Sequence, residues 1–176
     1  MSRNSSSIFS NTRQRNGGRY LLLSILVIVL DQITKYWCVG NIDYNTRGIE
    51  VLPFFNLVHV YNYGAAFSMF ADLGGVQRYV LSGIALFMAL VFVIMLLRTK
   101  ASLKGHCIAY ALFIGGAIGN LIDRLMHGYV VDFLLFYLKD EQGNITWAYP
   151  AFNVADIAVC VGAFLMVVLA LFSKAK

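Results

Sequence analysis

The sequence predicts an α-helical integral membrane protein: a bundle of four transmembrane helices with a small β-rich layer outside the membrane. Of its 176 residues, 59% are hydrophobic and only 13% are charged, whereas soluble domains are close to a quarter charged. Four apolar runs are each about 20 residues long, the length that a helix needs to cross a bilayer. Two connecting segments are rich in β-branched and aromatic residues, which favour strands.

The chain begins with a stretch rich in Ser, Asn and Arg, residues 1–19, that has no apolar periodicity. We predict a disordered cytoplasmic tail here, because such a composition cannot bury enough apolar surface to fold. The first span is predicted at 20–39. A basic segment before an apolar run is also typical of a cleavable signal peptide, but no small-residue cleavage site follows it.

Three further spans are predicted at 76–97, 105–126 and 153–172, followed by a short tail at 174–176. Four spans place both ends of the chain on the same side of the membrane. Nine basic residues lie on that side, in the two tails and the loop between spans 2 and 3, against four on the opposite side: Arg47, Arg78, Arg124 and Lys139. Because basic loops stay in the cytoplasm, we place both termini there and expect one domain over residues 20–173.

The two outward loops are predicted to form strands. The first contains EVLPFFNLVHVYN, and the second contains YVVDFLLFYL and ITWAY on either side of a KDEQGN turn, which is a hairpin pattern. Four aromatic residues fit a belt at the outer membrane surface: Tyr61, Tyr63, Trp147 and Tyr149. Since the loop between spans 2 and 3 is short, we expect the protein to act on the outer side.

Polar residues gather at the outer ends of the predicted spans. Ionisable groups inside a membrane cost roughly 2.5 to 3.5 kcal/mol each at a helix centre, so they indicate a functional site. Four aspartates reach this level from three spans and a loop: Asp31, Asp123, Asp132 and Asp156. The amide and guanidinium side chains at the same level are Asn120, Arg124 and Asn153.

Two of these aspartates have a cation close to them in the sequence. Asp31 and Lys35 stand at i and i+4, the favourable order for an ion pair on one helical face, and we interpret this pair as structural. Asp123 is followed by Arg124, but adjacent helical residues point about 100° apart, so this pairing is weaker.

The other two aspartates, Asp132 and Asp156, have no basic residue within a helical turn. Two such carboxylates in one dehydrated pocket cannot easily both ionise, so one keeps its proton. In aspartic proteases the charged partner takes a proton from water while the protonated partner polarises the scissile carbonyl. The sequence therefore predicts a protease site at this pair.

Structural roles remain open for the same residues. Asn153 as N-cap and Asp156 at the third helical position would form a variant of the capping box. Asn120 and Asp123 can bridge neighbouring helices by hydrogen bonds. Asp132 can be an ordinary acid at the membrane interface. Taken singly each role is reasonable, but together they do not explain why the polar cluster lies at the outer ends alone.

The same residue types also occur in other kinds of functional site. A small proton-coupled transporter would need polar residues in both leaflets, whereas the inner halves of spans 2 to 4 have almost none. A serine protease could use Ser68 with Lys35 as its base. A zinc site is less favoured, because His59, His106 and His127 show no HExxH spacing.

Five sequence blocks, in order, resemble the signature of lipoprotein signal peptidases, also called signal peptidase II. The blocks are DQITK at 31–35, NYGAAF at 62–67, GGAIGNLIDR at 115–124, VVDF at 130–133 and FNVAD at 152–156. The resemblance spans roughly residues 20–172. It implies a four-span aspartic endopeptidase of the bacterial inner membrane that cuts a prolipoprotein's signal peptide just before a cysteine carrying diacylglycerol.

By this resemblance the catalytic pair falls on Asp132 and Asp156, the pair that the absence of nearby cations also selects. Residues that order the site or bind substrate would be Asp31, Lys35, Asn62, Asn120, Asp123, Arg124 and Asn153. The resemblance also implies an extracytoplasmic β-rich cradle and a small mobile helix over the site, at NYGAAFSMF. We expect a monomer that contacts membrane lipid and prolipoproteins, with no cofactor, no metal and no nucleic acid.

Overall fold

The computed structural model describes residues 16–64 and 75–173. Within these residues, four long helices are each long and apolar enough to cross a membrane. They are α1 (Leu21–Asn41), α2 (Val76–Arg98), α3 (Lys104–Met126) and α4 (Val154–Ser173). The four predicted spans are confirmed, with boundaries that differ by no more than two residues at each end.

The described strands form one antiparallel sheet at one end of the bundle, which we call the sheet end. They are β1 (Ile49–Leu52), β2 (Phe55–Asn62), β3 (Val130–Lys139) and β4 (Ile145–Ala148), in the order β1-β2-β3-β4. The predicted strands and the hairpin of β3 and β4 are confirmed. The pairing of β2 with β3 joins the two predicted loops and sets Val60 opposite Asp132.

Helix α3 lies at the centre of the bundle and packs against α1, α2 and α4. Its glycines make this possible, because small residues let helix backbones approach closely. A Cβ atom on Gly115 would lie 2.7 Å from Cβ of Val27 on α1, and one on Gly116 would collide with the carbonyl oxygen of Ala155 on α4. The sheet-end polar residues of the three helices are thereby brought close together.

The opposite end of the bundle has an apolar core. Its buried members are Phe92, Leu96, Cys107, Tyr110 and Ile114. The ring of Phe92 stacks on that of Phe113 with centroids 4.3 Å apart. This core joins α2 to α3 far from the sheet.

The predicted disordered tail is wrong for residues 16–19. Gly17–Tyr20 form a short 3-10 helix, and the backbone N–H of Gly17 donates to the carbonyl oxygen of Thr99 at 2.8 Å. A Cβ atom on Gly17 would lie 2.6 Å from the carbonyl oxygen of Leu96, so glycine permits this close approach. Polar composition alone did not reveal this packing. Residues 1–15 lie outside the described part of the chain.

The aromatic residues predicted as a belt divide into two groups. Tyr63, Trp147 and Tyr149 are 47%, 54% and 43% exposed, as a belt at an interface requires. Tyr61 instead stacks between two other tyrosine rings, 4.4 Å from Tyr44 and 3.9 Å from Tyr129 between centroids. It therefore stabilises one face of the sheet.

Candidate active site

The polar site lies where β3 meets the sheet ends of α1, α3 and α4. One hydrogen-bonded network joins all nine residues that the sequence singles out for the site. They are Asp31, Lys35, Asn62, Asn120, Asp123, Arg124, Asp132, Asn153 and Asp156. Helix packing and the pairing of β2 with β3 together produce this convergence.

Asp132 lies on β3 and is 2% exposed. Its Oδ1 accepts a hydrogen bond from Nδ2 of Asn153 at 2.7 Å, and its Oδ2 accepts one from Nδ2 of Asn62 at 3.0 Å. Burial, followed by the nearby charge of Asp156, raises the pKa of Asp132 to about 7. This carboxyl group therefore gains or loses its proton near neutral pH.

Asp156 lies in the first turn of α4 and belongs to a capping box. Its Oδ2 accepts from the backbone N–H of Asn153 at 3.2 Å, while Oδ1 of Asn153 accepts from the backbone N–H of Asp156 at 3.0 Å. The capping arrangement expected from the sequence is confirmed. The other oxygen, Oδ1, accepts from Nδ2 of Asn120 at 2.8 Å. The start of the helix thus fixes this carboxylate.

Two asparagines connect the two carboxylates. Asn153 is fully buried, and its Nδ2 lies 2.7 Å from Oδ1 of Asp132 and 3.1 Å from Oδ1 of Asn120. Asn120 in turn donates to Asp156. The chain of contacts from Asp132 to Asp156 therefore runs through amide groups, which carry no charge that would hold both carboxylates ionised.

Beneath the asparagines lies a buried cation. Lys35 is 3% exposed, and its Nζ lies 2.8 Å from Oδ2 of Asp31, 3.0 Å from Oδ2 of Asp123 and 3.0 Å from Oδ1 of Asn120. The ion pair predicted from the i and i+4 spacing is confirmed. Asp123 finds its cation on α1, in Lys35, rather than in the adjacent Arg124.

Arg124 fastens the end of α3 to the loop that follows β2. Its Nη1 donates to the carbonyl oxygen of Asn120 at 3.4 Å, and its Nη2 donates to that of Gly64 at 3.2 Å. Gly64 also donates its backbone N–H to Oδ1 of Asn62 at 2.9 Å. The mobile helix predicted at NYGAAFSMF falls mostly on residues 65–70, which include Ser68 and lie outside the described residues.

Both carboxylates line one cavity of about 770 Å³. Its polar end is formed by Asn62, Asn120, Arg124, Asp132 and Asp156. Its remaining wall is mostly apolar and is formed by α4, by the segment before it and by β2 and β3: Val60, Tyr61, Val130, Tyr149, Pro150, Ala151, Phe152, Ile157, Val159, Cys160 and Val161. The cavity thus combines a pair of carboxylates with an apolar surface that continues along a membrane-length helix.

Sequence reasoning missed one polar contact of this network and the apolar wall. Nε2 of Gln32 lies 2.9 Å from Oδ1 of Asp123 and 3.2 Å from Oδ2 of Asp31. Gln32 follows Asp31 directly, so helical spacing points its Cα–Cβ bond away from the face that carries Asp31. Its side chain is long enough for the amide to reach Asp31 and Asp123 all the same. The wall had a usable signal, because Cys160 follows Asp156 at i+4 and therefore lies on the same helical face.

Within residues 16–64 and 75–173, no group of three or more His, Cys, Asp or Glu side chains is arranged to hold a metal ion. His59, one of the three histidines considered for zinc, is buried, and its Nδ1 donates to the carbonyl oxygen of Ile42 at 2.9 Å. This histidine contributes to packing beneath the sheet.

Comparisons with known proteins agree with this geometry. The model of the family described as signal peptidase (SPase) II matches residues 23–172. A lipoprotein signal peptidase from Pseudoalteromonas atlantica is 46% identical over 158 residues, which cover 90% of this chain and 92% of that protein. One from Serratia proteamaculans is 47% identical over 160 residues, covering 91% and 90%.

Solved structures have the same fold. A bacterial membrane enzyme solved by the in meso method superposes with a TM-score of 0.74 at 28% identity, covering 89% of this chain and 90% of that one. A second structure described in the same words has a TM-score of 0.69 at 27% identity, covering 88% and 93%. The four-helix bundle with its small sheet is thus an architecture already seen in membrane enzymes.

Proposed function

We propose that Asp132 and Asp156 are the catalytic residues of this protein. The chain belongs to the signal peptidase II family and removes signal peptides from prolipoproteins. The protein is a multi-pass membrane peptidase, and the family match gives no support to a transporter. The observation that carries the proposal is that both carboxylates line one cavity and both bond to Asn153.

The environments of the two carboxylates suggest which one holds the proton. Asp156 lies in the first turn of α4, where the positive end of the helix dipole and the backbone N–H of Asn153 favour its charged form. Asp132 lies on a strand, almost fully buried, and its pKa is raised to about 7 by burial and by the charge of Asp156. We therefore assign the shared proton to Asp132 in the resting enzyme.

The two residues then divide the work of hydrolysis. Asp156 takes a proton from water as the water oxygen bonds to the scissile carbonyl carbon, and Asp132 gives its proton to the carbonyl oxygen. When the carbon–nitrogen bond breaks, Asp156 passes its proton to the leaving nitrogen. One hydroxyl group of the intermediate returns a proton to Asp132, which restores the resting state.

The apolar wall of the cavity supports a lipid-bearing substrate. Ile157 and Val161 line the cavity and are also 42% and 47% exposed on the face of α4, so acyl chains could reach the site sideways from the bilayer. We propose that the substrate carries a diacylglyceryl cysteine and is cut just before it. We also propose that the protein is a monomer surrounded by membrane lipid.

The orientation follows from charge. Nine basic residues lie at the termini and around the loop between α2 and α3, against five at the sheet end: Lys35, Arg47, Arg78, Arg124 and Lys139. We therefore place both termini in the cytoplasm and the site at the periplasmic side of a bacterial inner membrane. Prolipoproteins would present their cleavage site at this level.

A cleavage assay with two matched precursors tests the proposal. The synthetic precursors share one sequence and differ only in the diacylglyceryl group on the cysteine, and the purified protein is reconstituted in lipid vesicles. We expect cleavage directly before the lipidated cysteine, identified by mass spectrometry, and little cleavage of the unmodified precursor. Equal cleavage of both would contradict the proposed substrate. Ser68→Ala should cleave normally; its inactivation would favour a serine mechanism instead.

A further inference from the structure

We propose that Gln32 and Lys35 are positioning residues that set the spacing of the two catalytic carboxylates by holding Asp31 and Asp123 together. We call these four side chains the clamp. The inference rests on the catalytic pair proposed above, and it assigns the clamp a role in the rate of the chemical step.

The two aspartates of the clamp each bind the backbone N–H of the residue just before a catalytic residue. Oδ1 of Asp31 accepts from the backbone N–H of Ala155 at 2.9 Å, directly before the catalytic aspartate of α4. Oδ2 of Asp123 accepts from the backbone N–H of Val131 at 3.0 Å, directly before the catalytic aspartate of β3. Two elements distant in sequence are therefore held in the same way.

Two separate donors from α1, Lys35 and Gln32, connect Asp31 to Asp123. Nζ of Lys35 lies 2.8 Å from Asp31 and 3.0 Å from Asp123. Nε2 of Gln32 lies 3.2 Å from Asp31 and 2.9 Å from Asp123. Because the two carboxylates are 0% and 3% exposed, their mutual repulsion is poorly screened and depends on these donors for compensation. Their separation is therefore fixed by the clamp.

The clamp acts through the backbone, and through the contact of Lys35 with Asn120, rather than on the substrate. None of its four members is among the residues that line the cavity. The layer is also tightly packed, since a Cβ atom on Gly119 would lie 2.8 Å from Oδ2 of Asp31 and 3.2 Å from Cβ of Ala155. A shift of either aspartate would therefore pass directly to the strand or helix that carries a catalytic carboxylate.

Gln32→Met tests the clamp with little change in side-chain length. It removes the three contacts of the amide, to Asp31, to Asp123 and to the carbonyl oxygen of Gly119. Ile33→Met, at the adjacent 59% exposed position of α1, is the matched control. We expect kcat to fall roughly tenfold while KM stays within about twofold, because misplaced catalytic groups slow the chemical step more than binding. Ile33→Met should leave both constants unchanged.

The pH dependence of kcat distinguishes a positioning role of Gln32 from a role in stability alone. When coupled carboxylates move apart, their two apparent pKa values approach each other. The pH range of high kcat should therefore be narrower in Gln32→Met than in the wild type. A purely structural role would lower the melting temperature and leave the width of this range unchanged.

Lys35→Met is expected to yield little folded protein, because two buried carboxylates lose their cation. The double variant Lys35→Met/Asp31→Asn removes one of those charges as well. We expect its melting temperature to recover towards that of the wild type while its kcat stays at least roughly tenfold lower. Recovery of kcat together with stability would overturn the inference.

Asp132→Asn separates this inference from the proposed function. If it cleaves at a normal rate, the catalytic pair itself is wrong. If it is inactive while Gln32→Met retains the wild-type kcat and pH profile, the catalytic pair stands and the clamp inference alone is wrong. If Asp132→Asn is inactive, and Gln32→Met has a lower kcat and a narrower pH range of high kcat, both the catalytic pair and the clamp inference are supported.

Discussion

The two ends of the helix bundle differ in what they bury. At the sheet end the buried side chains include Asp31, Lys35 and Asp123, whereas the opposite end buries an apolar cluster around Leu96 and Ile114. Buried ion pairs contribute little net stability, because desolvation offsets their attraction, while buried apolar side chains of a membrane bundle stabilise through close van der Waals packing. The sheet end has its own small apolar cluster of Cys38, Ile42, Val131 and Phe133. The difference indicates that the opposite end serves packing alone, whereas the sheet end combines packing with the groups for chemistry.

The largest effect is expected at the sheet end. Asp132→Asn and Asp156→Asn should each lower the cleavage rate by at least roughly 1,000-fold, because each removes one half of the acid–base pair. The variants should still insert in the membrane and melt cooperatively. Single-turnover cleavage of a diacylated precursor measures the loss. Normal cleavage by either variant would contradict the assignment of the chemistry to the sheet end.

A core substitution at the opposite end should have the converse effect. Leu96 is fully buried, so Leu96→Ala should lower the free energy of unfolding by about 2 to 5 kcal/mol through the cavity that it leaves. We expect kcat to stay near the wild-type value at temperatures where the variant is folded. Denaturation in detergent measures the first effect and the cleavage assay the second. Leu97→Ala, at a 43% exposed neighbouring position, is the control.

Stability at the sheet end should also depend on pH. Burial and the charge of Asp156 raise the pKa of Asp132 to about 7, so the folded protein keeps this proton to higher pH than the unfolded chain. Its contribution to stability is complete below the unfolded pKa and is lost as the pH rises through about 7. The free energy of unfolding should therefore fall, by up to about 4 kcal/mol, over this range.

Denaturation at about pH 5 and about pH 8 measures the part of this fall that lies above pH 5, roughly 2 to 3 kcal/mol. Asp132→Asn should show a smaller fall than the wild type. Asp140→Asn is the control: hydrogen bonds from Asn144 lower the pKa of exposed Asp140, so its contribution is lost only at lower pH. An equal fall in the wild type and in Asp132→Asn would be evidence against a shared proton at this site.

The smallest predicted effect concerns the short 3-10 helix at the opposite end. Gly17→Ala would place a Cβ atom 2.6 Å from the carbonyl oxygen of Leu96, and overpacking of this kind costs about 1 to 3 kcal/mol. Gly18→Ala meets only the ends of two side chains, Oδ1 of Asn16 at 3.1 Å and Cδ2 of Leu97 at 3.3 Å, and should cost less. Thermal melting compares the two. Equal stability of both variants would contradict the close packing described for residue 17.

The features that sequence predicted well depend on local spacing. Each helix follows from a continuous apolar run, the pair of Asp31 and Lys35 follows from an i and i+4 spacing, and the capping box of Asn153 and Asp156 follows from three residues of separation. Such contacts form within one element, so periodicity and residue type determine them.

The features that sequence did not predict depend on contacts between distant segments. Pairing of β2 with β3, contact of Lys35 with Asp123, and the approach of Gly17 to Leu96 each join segments far apart in the chain. Gln32 was missed for a related reason, since its partner Asp123 lies on another helix. No local pattern records these contacts, because they depend on how the helices pack.

The most direct test of the central claim is an infrared titration of the carboxyl groups in the membrane-reconstituted protein. We expect the wild type to show the C=O band of one protonated carboxyl group, to lose it as the pH rises through about 7, and to lack it in Asp132→Asn. The same band in Asp132→Asn, or no titrating band in the wild type, would contradict the account of two carboxylates that share one proton.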